Sequence, residues 1–315
     1  MKLFAALCLA LSTLAGAQYP NHPVHLISPF APGGSNDSLT RIIGERLAQR
    51  LGQPVVVENK AGAGGVLGAE AVARSRSDGY TLLMAPSLLV AKKVLVQSLP
   101  YDLDTDFVRI ARLARAPSVL VVTTSIPVKT VGELIAYGKS HPATLTYAST
   151  GIGSTPHINA EIFKGETGID AVHVPYKGGA PALVDLLAGR VHFMMSTPAE
   201  VMPHLKSGKV RALAVSGRDR MPQLPELPTF VEAGLRNSGQ TPWWGIIAPR
   251  GTPSTIVDKL STEIVAIMAE PEVLKSIEAL GLQASPLDAQ KFDDFFHDEV
   301  KRFTEVVRRF NIPPE

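Results

Sequence analysis

From residue 24 onward, short apolar runs that end in glycine, proline or small hydroxyl residues alternate with stretches whose apolar positions recur every three to four residues. That alternation predicts strands followed by helices, the pattern of parallel α/β layers. Residues 25–30 read as a strand. Pro32, Gly33, Gly34, Ser35, Asn36 and Asp37 break it and offer helix-capping chemistry, and Leu39, Ile42, Ile43 and Leu47 follow at helical spacing until Gly52 and Pro54 stop the helix. A strand over 55–57, a glycine loop over 62–65, a short helix over 66–73 and a strand over 80–84 complete a βαβαβ unit. A second series begins near Ser118, with predicted strands over 119–123, 145–148, 171–174, 192–195 and 211–216. Helices are expected between them over 130–139, 157–164 and 181–188. The proline-rich stretch 221–228 reads as a crossing between domains. Beyond it a strand over 244–248 precedes helices over 253–268 and 288–310, the last with Phe292, Phe295, Phe296, Val300 and Phe303 as a buried stripe.

The first residues follow a different rule. Lys2 precedes an apolar run from Leu3 to Leu11, and Ala15, Gly16 and Ala17 supply small residues. This order is that of a secretory signal peptide cleaved after Ala17, and the apolar run is too short to span a membrane. The expected division is residues 1–17 as signal peptide, 18–117 plus 225–315 as one lobe, and 118–224 as the other. Export to the periplasm follows from it. The chain's one cysteine, Cys8, lies inside the leader, so the exported protein carries no thiol and no disulfide.

Charge narrows the choice of partner. The 31 Lys+Arg against 29 Asp+Glu leave a formal charge of +2, which gives no support to nucleic-acid binding. The chain is 45% hydrophobic and 19% charged, too apolar for disorder. The histidines are scattered with no metal-ligand spacing, and no cofactor or metal is expected. Glycine and small hydroxyls are concentrated instead in the loops 30–37, 60–65 and 149–154, and a fourth loop over 174–179 adds Tyr176 and Lys177. In open α/β sheets such loops sit at strand carboxyl ends and bring backbone N–H groups and helix N-termini to a ligand. They suit a carboxylate held by amides and by the hydroxyls of Ser35, Thr150 and Ser154. One such loop would be an ordinary turn, whereas four divided between two α/β units point to a cleft. Asp37 is read first as a helix cap, a role compatible with ligand contact. Gly62 to Leu67 misses the dinucleotide fingerprint because Leu67 replaces its third glycine. Ser154 and His157 stand one helical turn apart, but without an orienting acid or a nucleophile elbow they favour capping over catalysis.

Several of these segments resemble the Bug-type solute-binding proteins of the tripartite tricarboxylate transporter system. They are PFAPGGSND at 29–37, VENKAGAGGVLGAEAVARSRSDGYTLLMA at 57–85, LPYDLDTDF at 99–107, LTYASTGIGSTPHINAEIF at 145–163 and VHVPYKGGAPALVDLLAGRV at 172–191, within a match running from Tyr19 to Ala279. The resemblance implies a two-lobed periplasmic binding-protein fold of type II character, each lobe a mixed sheet flanked by helices. It further implies a non-enzymatic protein that captures a small carboxylated metabolite for membrane transporter subunits, acting as a monomer. The alternatives are a periplasmic sensor feeding a signalling receptor and, remotely, a hydrolase. By the same matching, the ligand is gripped by Phe30 and Ala31 from one lobe and by Gly151, Gly153 and Ser154 from the other. Gly33, Gly34, Ser35, Asp37, Ala63, Gly64, Ser87, Thr150, His157 and Tyr176 line or support the cleft. Two departures stand out: His192 where the family often has an acid, and Ser196-Thr197 where it often carries Asp or Asn. Hinge closure is expected near Pro117 and residues 221–228.

Overall fold

The computed structural model describes residues 19–176, 179–217, 220–236, 239–309, 312 and 314. The predicted leader, Lys177 in the fourth loop and Phe310 at the end of the last predicted helix lie outside them. Two sheets form two lobes. The first sheet contains β1 (Val24–Ser28), β2 (Val55–Asn59), β3 (Thr81–Pro86), β4 (Phe107–Arg115), β10 (Trp243–Pro249) and β11 (Gln283–Leu287), in the order β11-β4-β10-β3-β1-β2. The second contains β5 (Val119–Thr123), β6 (Leu145–Ser149), β7 (Ala171–Pro175), β8 (Phe193–Ser196) and β9 (Val210–Val215), in the order β7-β6-β8-β5-β9. Strands β1, β2 and β3 run parallel, as do β6, β7 and β8. In each sheet the strands that carry the chain between lobes, β10 and β5, pair antiparallel with their neighbours.

Strand side chains alternate between faces, and both faces of each sheet are covered. In β1, Leu26 joins one apolar cluster and Ile27 the cluster on the opposite face; Met84 and Leu83 of β3 divide the same way, as do Ile246 and Ile247 of β10. In the second sheet, Leu120 and Val122 face one core while Val119 and Val121 face the other. Helix α1 (Ser35–Leu51) buries Leu39, Ile43 and Leu47 on one stripe and ends at Gly52, whose φ of 66° closes the last turn. Helix α2 (Val66–Ala73) packs so closely on the loop after β1 that a Cβ at Gly68 would lie 2.8 Å from Pro29 Cβ and 2.9 Å from the Lys60 carbonyl oxygen. Helix α10 (Ala289–Arg309) buries Phe292, Phe296 and Phe303 against the first lobe, and Trp243 meets Phe292, Phe295 and Phe296 edge-on.

The fold corrects several sequence expectations. Beyond the predicted elements there are α3 (Leu88–Leu95), β4, α7 (Pro198–Leu205), α9 (Pro271–Ala279) and β11. Residues 221–228 do not cross between the sheets. Met221, Leu224 and Leu227 pack on the second lobe's core, and Phe230 and Leu235 pack on its other face. The chain passes between the sheets at residues 116–118 and returns at 240–242, where Ala116 N–H donates to the Pro242 carbonyl at 2.8 Å. Asn159, in α5 (Thr155–Thr167), joins both passages. Its Nδ2 donates to Ser118 Oγ at 3.1 Å and to the Gln240 carbonyl at 2.8 Å, while its Oδ1 accepts from Gln240 N–H.

Candidate functional site

A cavity of about 580 Å³ opens between the lobes, lined from both of them. Its construction follows from strand order. Strands β1 and β3 are neighbours in the first sheet, and β6 and β8 are neighbours in the second. The helices that follow them, α1, α3, α5 and α7, all start at the cavity: Gly34, Ser35 and Asn36 contribute from α1, Ser87 and Leu88 from α3, Ser154, Thr155 and Pro156 from α5, and Thr197 and Glu200 from α7. Four helix N-termini therefore point their partial positive charge and first-turn N–H groups at one space. No Lys, Arg or His lines it among the described residues. Phe30, Pro86, Pro242, Trp243 and Trp244 make much of the wall apolar, and a hydrogen bond formed against such a low-dielectric wall is strengthened.

The loop before α1 is set by Asp37, which is 3% exposed. Its carboxylate accepts from Gly33 N–H at 3.0 Å, Asn59 Nδ2 at 2.8 Å and the Arg41 guanidinium. Burial raises this carboxyl, but those hydrogen bonds outweigh burial and hold it below the usual carboxylate range. Asp37 is thus the third residue of the helix reaching back over its start, while the N-cap is Gly34, which supplies no side-chain cap. The second-lobe loop is set by a stack of rings. His173 lies on Tyr147 with centroids 4.8 Å apart and on His157 at 4.3 Å. His173 Nε2 is 2.7 Å from Ser149 Oγ, which accepts from Gly151 N–H, and His157 Nδ1 accepts from Gly153 N–H at 3.2 Å. Gly151 and Gly153 take φ of 123° and 75°, values that favour glycine and let this loop turn sharply into α5.

Of the predicted site residues, Phe30, Ala31, Gly34, Ser35, Ser87, Thr150 and Ser154 line the cavity. The others stand behind it. Gly33 and Asp37 brace the first loop, and Gly151, Gly153 and His157 brace the second. Ala63 and Gly64 lie in a tight turn beside α3, where a Cβ on Gly64 would come within 2.7 Å of Lys92 Cε. Tyr176 is directed away to Asp185 at 2.6 Å, and burial together with that carboxylate pushes its hydroxyl up to about 12. Ser154 donates its hydroxyl to the Gly151 carbonyl at 2.6 Å and accepts from His157 N–H at 3.4 Å, so its contact with His157 is helix capping rather than a nucleophile–base pair. The departure at His192 lies on the strand side, where its Nδ1 accepts from Thr146 N–H at 3.0 Å, and does not line the cavity.

The lining residues that the candidate set lacks are chiefly Asn36, Ser118, Thr155, Ser196, Thr197 and Glu200. Asn36 ties α1 to β1 and β3, accepting from Ser28 Oγ at 2.9 Å and donating to the Met84 carbonyl. Glu200 accepts from Ser196 Oγ at 2.6 Å and closes a capping box with Thr197. Its sequence signal was present: Thr197 followed three residues later by Glu200 is the capping-box spacing.

The profile of the TctC family, described as tripartite tricarboxylate transporter family receptor, matches residues 39–312. The chain belongs to this family. BugT of Bordetella pertussis is 36% identical over 97% of this chain and 94% of its own length. An R. palustris protein solved with adipate superposes with a TM-score of 0.84 at 36% identity, covering 94% of this chain and all of that one. MatC from Rhodopseudomonas palustris, solved with bound malate, gives 0.77 at 32% identity over 92% of this chain and all of MatC. The family is one of solute-binding receptors, and the two-lobed architecture is the one these relatives share.

Proposed function

We propose that the protein is an extracytoplasmic receptor that captures a small carboxylated metabolite between its lobes and delivers it to a tripartite tricarboxylate-type transporter. The observation that carries this reading is the meeting of the α1 and α5 N-termini, from opposite lobes, in a cavity with no cationic side chain among its described lining residues. N-termini at that position attract a carboxylate through N–H groups and the helix dipole. The adipate- and malate-bound relatives support the ligand class. In this reading, Phe30, Ala31, Gly34 and Ser35 contact the ligand from one side and Thr150 and Ser154 from the other, with Ser87 beside them. Gly33, Asp37, Gly151, Gly153, His157 and Tyr176 keep those loops in shape.

The same reading takes residues 1–17 as a cleaved leader and places the protein in the periplasm as a monomer with no catalytic role. We divide the chain as 18–117 plus about 240–315 against the segment between them, moving the expected boundary at 224/225 toward 240 because Met221, Leu224, Leu227, Phe230 and Leu235 pack on the second lobe. Closure then bends the chain at 116–118 and 240–242. Isothermal titration against mono-, di- and tricarboxylates tests the function: saturable heat with at least one acid is expected. A folded protein that binds none of them overturns the reading.

A further inference from the structure

Glu200 is the one ionisable side chain among the described residues that line the cavity. It sits in the first turn of α7, where a helix N-terminus would otherwise attract an anion. One carboxylate oxygen, Oε2, takes the Ser196 hydroxyl at 2.6 Å and faces Thr197 N–H at 3.5 Å. Those are the donors that a second ligand carboxylate would need at this end. The protein's own carboxylate has therefore taken that place. The other oxygen, Oε1, has no hydrogen-bond donor among the described residues; it lies near the Gly179 backbone, 2.1 Å from where a Cβ on that glycine would be. The acid at the equivalent position of α1, Asp37, differs in its setting: it is buried behind the loop, paired with the Arg41 guanidinium and bonded to Gly33 N–H and Asn59, and does not line the cavity, while the first turn of α5 holds no acid and is capped by the neutral Ser154 hydroxyl. The cavity is thus polarised, with anion-attracting groups at two helix starts and a fixed negative charge at a third.

We propose that Glu200 is a specificity-determining residue, and that it selects a carboxylic acid bearing an ammonium group away from the carboxylate while turning dicarboxylates away. The inference rests on the carboxylate-receptor reading given above. The ligand carboxylate goes to the α1 and α5 ends, and its ammonium donates to Oε1 of Glu200. A dicarboxylate would bring like charge against Glu200 in a cavity with apolar walls, where such contact is poorly screened.

The test uses matched pairs that differ only in replacing one terminal carboxylate by an ammonium: succinate with β-alanine, glutarate with γ-aminobutyrate, and adipate with δ-aminovalerate. Each is titrated into the purified protein and into Glu200→Gln, which keeps an acceptor for Ser196 and Thr197 and so preserves the capping box. Thermal unfolding checks that both proteins are folded. The expected result is that the ammonium member of at least one pair binds about tenfold or more tighter than its dicarboxylate, and that Glu200→Gln removes or reverses the preference. A native protein that binds the dicarboxylate as well or better, or a preference unchanged in Glu200→Gln, overturns the assignment while leaving the carboxylate-receptor function standing. Failure of folded native protein and variant alike to bind any acid in this set or in the wider carboxylate panel overturns the receptor reading itself, and the assignment with it.

Discussion

Acid should weaken this protein through His173. Burial and the neighbouring His157 hold its pKa at about 4, against an ordinary 6.5. The folded state therefore prefers the neutral ring, and between those two values the unfolded chain binds the proton more readily. Stability contributed by the neutral ring is complete above pH 6.5, falls as pH drops from 6.5 toward 4, and is flat below that. A separation of that size is worth at most about 3 kcal/mol, at roughly 1.4 kcal/mol per pH unit, and solvent reaching the half-buried ring lowers it. His157 adds in the same direction, because burial also lowers its pKa. The geometry says where the damage falls: protonating His157 Nδ1 sets an N–H against the Gly153 N–H, and a charge on His173 stands 2.7 Å from the Ser149 hydroxyl that holds Gly151 N–H. Denaturant unfolding of the native protein and of His173→Phe, which keeps the ring stack but cannot titrate, should be compared at pH 7 and pH 4.5. The native protein should lose about 1–3 kcal/mol more than the variant between these conditions. Equal losses in the two proteins would refute the argument.

Asn159→Ala strands both the N–H and the carbonyl of Gln240. Urea unfolding should record a loss of roughly 2–4 kcal/mol, from two buried backbone groups left without partners. Gly68→Ala tests a competition of opposite signs. Alanine in a helix interior ordinarily gains up to about 1 kcal/mol, but here the new Cβ meets Pro29 and the Lys60 carbonyl. Thermal unfolding should show a net loss of about 1–3 kcal/mol, and a rise in stability would show that the α2–loop contact is looser than described.

The loops that line the cavity were legible in the sequence because glycine, proline and hydroxyl residues between a strand and a helix have few other uses at that density. Strand β4 was hidden because its alternation carries three arginines. Only the folded protein shows how they are accommodated: Arg109 stacks on Phe296 at 3.8 Å with its guanidinium near Asp104 and Asp293, and Arg112 lies over Phe295 while bonding Ser285. Both phenylalanines come from α10, nearly two hundred residues away, so no local pattern could announce them. Strand β11 contains Pro286 and is tolerated because it is the outermost strand. Helix α7 was masked by Pro198 and Pro203. The first of these fits an N-terminal turn, and missing the helix meant missing Glu200. The stretch 221–228 was misjudged because proline density reads as a linker, whereas the apolar residues between its prolines pack against the second lobe.

The central place of β10 in the first sheet has a consequence for the order of folding. Strands β1, β2, β3 and β4 are all made before residue 116, yet β3 and β4 do not pair with each other; β10 lies between them and pairs with both. As the chain emerges, its first third can form only the parallel trio, with β4 lacking a partner. The second lobe, whose five strands run unbroken from 119 to 215, has every strand it needs before the first can close. Residues 243–249 then act as a keystone, and a chain cut short of them is left with one finished sheet and an open edge on the other.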